Sequence, residues 1–243
     1  MIKATYYTHM GSDDMVCDMA RASFGKRSDQ YTPEQNRRLI GYLARGMSQA
    51  DQAKILKEAA DSEDYSVLLD CFKRLNAHQH WAPMAHPQVT MFIEVPIFVA
   101  RQDFKHIVGF VRSETSRRYI DSEPKFYMPQ LWRSRPDGSV KQGSGVAHPH
   151  SSIVSKMVER TNKQCLLDYN AMIDNGVAPE QARMILPQSM MTTYYTTGSL
   201  AAWARAYKQR IDPHAQVEIQ QLAAEWDRVI RPLFPVSWAA LTE

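Results

Sequence analysis

The densest run of chemistry-bearing side chains is Arg101–Tyr119, RQDFKHIVGFVRSETSRRY. Five cations (Arg101, Lys105, Arg112, Arg117 and Arg118) fall within eighteen residues, interleaved with Gln102, Glu114 and Ser116. Arginine forks meet phosphate oxygens two at a time, and a hydroxyl adds a further donor. The mixture therefore suits a phosphate monoester. A solvated charge run is the ordinary alternative. Here, however, the cations follow an apolar strand and are spaced by apolar residues.

Three further clusters carry weaker signals. Arg183 lies in PEQARMILP, on the apolar side of a short helix. An arginine there is costly unless paired, or else it snorkels to the surface. In QRIDPHAQVEI, residues 209–219, Asp212 is a candidate N-cap and Pro213 a candidate first helical residue. Arg210 then sits just ahead of a helix N-terminus, where an anion is also favoured. A plain capping turn with solvated charges explains the same residues. Finally, HQHWAPMAH holds three histidines, His78, His80 and His86, within nine residues. A structural zinc site wants four ligands, and no cysteine or carboxylate stands at matching spacing. The expectation is no metal, there or at His148-Pro149-His150.

These residues need a scaffold. Residues 2–8 read as a strand, and Gly11–Asp14 as a turn opening a helix. Residues 34–46 read as a helix ending at Gly46, and Ser48 as the N-cap of the next. Residues 64–76 place Val67, Leu68, Cys71, Phe72 and Leu75 on one helical face. The strongest strand candidate is Gln88–Gln102, with Val89, Met91, Ile93 and Val95 alternating, and Pro96 marking an edge, bulge or break. Residues 134–150 read as an exposed loop. Helical patterns then cover 151–175, 179–186, 199–209 and 213–231. The expected class is α+β (α/β), a central sheet flanked by helices with a helical C-terminal half, in one domain spanning 1–243.

Composition bounds the rest. The chain has 243 residues, 44% hydrophobic, enough for a sizeable core and too many for a disordered chain. Lys and Arg number 29 against 26 acidic residues. That balance gives no footprint for non-specific nucleic-acid binding, yet permits a local basic pocket. Cys17, Cys71 and Cys165 are far apart, which argues against a zinc ribbon or disulfide scaffold. No long apolar run suggests a membrane span, and the N-terminus lacks an apolar signal core. The expectation is a cytoplasmic protein with no membrane or nucleic-acid partner.

Taken in order, seven segments resemble the flavin-dependent thymidylate synthase family: MARASF, HWAPMAH, PIFVARQDFKH, SETSRRY, KFYMP, GVAPEQARMILP and RIDPHAQVEIQQ. The similarity runs from about Met10 to Leu233. It implies a thymidylate-synthase-complementing-protein-like fold and a homotetramer with active sites shared between subunits. It also implies synthesis of dTMP from dUMP, with methylenetetrahydrofolate as carbon donor, FAD as redox cofactor and NADPH as hydride source. On this resemblance, Gln102, Lys105, Glu114, Ser116, Arg117, Arg118, Arg183 and Arg210 fall on nucleotide-binding positions. Arg210 matches the arginine that helps ionise the pyrimidine N3. Ser23, His80, His106 and His214 fall on flavin-side positions.

The departures are patterned. The family's Arg-His-Arg is Lys105-His106-Ile107 here, and the loop from His106 to Glu114 is one residue longer. Ser113 stands for Asn. Ala82 and Ala85 replace a hydroxyl residue and a glutamate. Ser199, Ala201 and Arg205 stand where Asn, Arg and Asn contact flavin. Losses thus concentrate on the flavin side. A permanent cation and five donors vanish at Ile107 alone, and several lost hydrogen bonds weaken binding by orders of magnitude. Three readings stay open: a thymidylate synthase, a dUMP or dCMP hydroxymethylase with weakened or lost flavin use, and a non-catalytic nucleotide-binding homologue.

Overall fold

The computed structural model describes residues 1–75, 79–120, 122–136, 138 and 143–243. Strands β1 (Lys3–Met10), β2 (Gln88–Pro96), β3 (Phe110–Glu114) and β4 (Met191–Ser199) form an antiparallel sheet in the order β1-β2-β4-β3. Helices α1 (Asp13–Arg21), α2 (Pro33–Arg45), α3 (Gln49–Ala60), α4 (Tyr65–Leu75) and α5 (Trp81–Ala85) separate β1 from β2. Helix α6 (Ile97–Asp103) joins β2 to β3. Helices α7 (Ser151–Asp174) and α8 (Pro179–Ala182) precede β4, and α9 (Leu200–Arg210), α10 (Val217–Ile230) and α11 (Pro235–Thr242) follow it. Among the described residues, no helix is long and apolar enough to cross a membrane.

One face of the sheet makes the core. Val89, Met91, Ile93 and Val95 alternate on β2 and are wholly buried. Their cross-strand partners include Tyr194 and Thr196, and Trp203, Trp226, Ile219 and Leu222 pack against the same cluster. A half-buried antiparallel sheet needs this two-residue period. Helices α3 and α4 close a separate small core around Met47, Ile55 and Cys71, with Val67 and Leu75 against it. Leu68 and Phe72 of the expected apolar face stay largely exposed.

Helix starts follow side-chain caps where the sequence offers them. Thr32 and Ser48 accept from the amides of Gln35 and Asp51, and Gly46 ends α2 at φ +73°. Several expectations need correction. β2 stops at Pro96, and residues 97–103 are helical rather than strand. Proline ends the ladder and its fixed φ leads into the first turn. β4 falls in residues 187–198, between two expected helices, where no element was expected, and takes in Ser199; its run of Thr and Tyr suits a central strand. Residues 212–216 form a turn, not a helix start: Asp212 accepts from the His214 amide at 2.7 Å, and α10 begins at Val217. Residues 179–186 hold only a four-residue helix and a 3-10 turn. His78 and residues 137 and 139–142 of the expected loop lie outside the described residues.

Candidate functional site

Antiparallel pairing sets Lys3, Glu94, Thr193 and Glu114 at one end of the sheet, where β1 and β4 begin and β2 and β3 end. A cavity of about 1360 Å³ opens there. The loop after β3 supplies Glu114, Ser116, Arg117 and Arg118; the turn after α8 supplies Arg183; α6 adds Arg101 and Phe104. Five expected nucleotide-side residues therefore share one cavity. Thr192 donates to Glu114 Oε1 at 2.7 Å, and the Thr115 amide to the Thr193 carbonyl at 2.9 Å, so β4 fixes where the loop leaves the sheet. Ser116 Oγ accepts from Arg118 Nε at 3.3 Å, while Arg117 donates to the Ser122 carbonyl. Of the two alternatives left open for Arg183, pairing or snorkelling, the structure shows the side chain at the surface. It is exposed and donates only to the Glu180 carbonyl, at 3.2 Å. Among the described residues, no carboxylate forms an ion pair with Arg101, Arg117, Arg118, Lys125 or Arg183.

Arg210 does not line this cavity. Its Nε donates to His106 Nε2 at 2.8 Å, and its terminal nitrogen to the Gln102 carbonyl at 3.1 Å. Gln102 donates to Gln216 Oε1 at 2.6 Å, which continues to Glu218 and Arg133. Cations near the C-terminal carbonyls of α6 also suit the helix dipole. Helix α6 thus separates two groups. Ala100, Arg101 and Phe104 face the cavity, while Gln102, with His106 just beyond the helix, meets Arg210. Lys105 is exposed beside them. Burial, with Arg210, Arg112 and Arg205 nearby, lowers the His106 pKa to about 4, so its ring is neutral near pH 7.

None of the expected flavin-side residues lines the large cavity. Ser23 is exposed in a 3-10 turn after α1. His80 stacks on Tyr42, ring centroids 5.5 Å apart, and His214 pairs with Asp212 at 3.0 Å. The altered positions have internal duties. Ser199 caps α9, and Arg205 donates to the Val108 carbonyl at 2.5 Å. Gly109, at φ +82°, lets that turn approach α9; a Cβ there would meet Ala202 Cβ at 2.8 Å. Ile107 projects outward, 74% exposed. Among the described residues, no cluster of His, Cys, Asp or Glu is placed to hold a metal.

Sequence reading missed several residues here. Lys125, Tyr127 and Met191 line the cavity; the first two lie in KFYMP, a segment of the resemblance from which no site residue was taken, and Met191 lies in no such segment. Asp103, fully buried, accepts from Tyr194 Oη at 2.7 Å and pairs with Arg112 at 3.0 Å. An acidic residue inside an apolar helix was the available signal, since such a charge needs a partner.

The family model described as "Thymidylate synthase complementing protein" matches residues 6–236. A flavin-dependent thymidylate synthase of Thermus thermophilus is 27% identical over 234 residues, covering 96% of this chain and 73% of the relative. One from Kosmotoga olearia is 29% identical over 233 residues, covering 95% and 86%. The crystal structure of the UMP/dUMP methylase PolB from Streptomyces cacaoi, bound with 5-Br dUMP, shares the fold. Its TM-score is 0.78 at 24% identity, over 100% of this chain and 95% of that one. The chain belongs to the thymidylate synthase complementing protein family, a family of one-carbon transferases.

Proposed function

We propose that this chain moves a one-carbon unit from methylenetetrahydrofolate to C5 of a pyrimidine deoxynucleoside monophosphate, dUMP to dTMP, as a single cytoplasmic domain assembled into a homotetramer. One observation carries the reading: Arg118 and Arg183, far apart in the chain, line one cavity with no carboxylate partner among the described residues. Unpaired guanidiniums beside the Ser116 hydroxyl suit a phosphate dianion. Arg210 would sit at the base, where a fixed cation stabilises negative charge as C5 becomes nucleophilic. Arg210 and Gln102 lie outside the cavity of their own protomer. On this reading a second protomer brings them to the nucleotide, in an active site shared between subunits. FAD, reduced by NADPH, supplies in such a reaction the hydride that makes the transferred carbon a methyl group. The names of the relatives support that cofactor here.

A second reading is favoured by the internal duties of Ser199 and Arg205 and by the outward Ile107. Hydroxymethylation of dUMP or dCMP takes the same carbon and a water, with no net hydride. The test incubates purified protein with dUMP or dCMP and methylenetetrahydrofolate, with and without FAD and NADPH, and weighs the nucleotide. A methyl gain that requires FAD supports the first reading. A hydroxymethyl gain without it supports the second. No gain with either base leaves a nucleotide-binding homologue and defeats both.

A further inference from the structure

We infer that Asp103, Arg112 and Tyr194 form a buried positioning unit that sets the His106 ring and, through it, the Arg210 guanidinium. The inference rests on the reading that Arg210 acts on the nucleotide. The Asp103 side chain has no exposure; Tyr194 donates to one carboxylate oxygen at 2.7 Å and Arg112 to the other at 3.0 Å. Arg112 also donates to the carbonyls of Asp103, at 3.0 Å, and His106, at 2.7 Å. The rings of Phe104 and Phe110 flank its guanidinium at 5.3 and 4.9 Å. One fork therefore fixes both the end of α6 and the turn that carries His106.

A buried ion pair is weak evidence for stability, because desolvation offsets much of the attraction. Here its output is directional. The His106 backbone is held from β3 by Arg112, and the His106 ring meets Arg210 from α9 at 2.8 Å. The carbonyls of Gln102, Asp103 and His106 are thus held by two guanidiniums from different elements. The charged groups facing His106 are Arg112 from β3, Arg205 and Arg210 from α9, and Asp103 from α6. A neutral imidazole keeps the Nε2 lone pair available to Arg210; protonation would set two cations against each other.

The experiment follows His106 by NMR titration in the full-length protein and measures nucleotide turnover in parallel. In the wild type the expected midpoint for His106 is about 4, lowered by burial and the neighbouring guanidiniums. Arg112→Met is expected to raise that midpoint and to lower kcat by about tenfold or more, with KM for nucleotide changing less than about threefold. Arg112→Lys, which keeps charge without the fork, should return the midpoint toward wild type and restore only part of kcat. Tyr194→Phe removes one hydroxyl and keeps the test available if Arg112→Met does not fold; it should lower kcat by roughly threefold to tenfold. Folded Arg112→Met and Tyr194→Phe proteins with wild-type titration and kcat would overturn the positioning unit. A wild type without turnover would instead defeat the functional reading, and the His106 midpoints in the two variants would still decide this one.

Discussion

Two arginine-rich regions flank α6 and treat their charges in opposite ways. On the cavity side, Arg101, Arg118 and Arg183 are exposed and have no carboxylate partner among the described residues. On the other side, Arg112 and Arg210 are half-buried and donate to an imidazole, a carboxylate and backbone carbonyls. A guanidinium without a partner awaits an anion, because its donors are otherwise met only by water. A guanidinium already engaged shapes its neighbours. On the proposed function the free side chains meet the phosphate while the engaged ones are held in a fixed geometry, Arg210 for the base, although composition and spacing present them as one basic cluster.

The largest expected effect tests the engaged side. Arg210→Ala should abolish turnover, a loss of at least ~100-fold, because stabilisation of developing charge is worth several kcal/mol. Steady-state rates with dUMP and methylenetetrahydrofolate check it. Next comes the free side. Arg118→Ala should mainly raise the nucleotide Kd, by ~10–100-fold, the effect of one charged hydrogen-bonding group. Arg183→Ala should do the same, with nucleotide affinity falling as salt rises. Titration calorimetry at two ionic strengths reads both. If Arg210→Ala changed only affinity while Arg118→Ala changed only kcat, the division would be inverted. His106→Ala should disturb folate or flavin use more than nucleotide affinity, and the opposite result would shift the motif alignment.

A pH effect sharpens the same contrast. The His106 pKa is lowered from 6.5 to about 4 in the folded protein. Between those values the unfolded chain binds the extra proton and the folded one does not. Stability from the neutral ring is therefore complete above pH 6.5 and declines as pH falls toward 4. Melting temperature followed across that window should drop less in a His106→Gln variant than in the wild type. An identical slope in both would place the acid sensitivity elsewhere.

Much of this was legible in sequence where local physics decides. Val89 to Val95 announced β2 by alternation, and Ser48 and Gly46 match helix ends by side-chain or backbone geometry. The phosphate-suited loop from Glu114 to Arg118 was visible in its residue types. What stayed hidden depends on long-range contacts. β4 becomes a central strand only because β2 and β3 pair with it, and residues 191–199 carry no strict alternation of polar and apolar types. Arg112 looked like another phosphate ligand until Asp103 was found beneath it. Pairing and snorkelling stayed equally open for Arg183, because residues 179–186 were expected to be helical throughout while the helix stops at Ala182.

The smallest expected effect supplies the baseline for the others. Glu34 pairs with Arg38 at 3.0 Å and with Arg37 at 3.7 Å, all three side chains more than half exposed. Water screens such pairs, and fixing two long side chains costs entropy. Arg38→Ala should therefore change unfolding stability by less than ~0.5 kcal/mol, read from urea denaturation, and leave kcat and nucleotide Kd at wild-type values. Removing one arginine alters net charge equally at Arg38 and at Arg118. A kinetic loss shared by both variants would mean that the cavity responds to the protein's overall charge. A loss confined to Arg118→Ala assigns the effect to that guanidinium and to the cavity it lines.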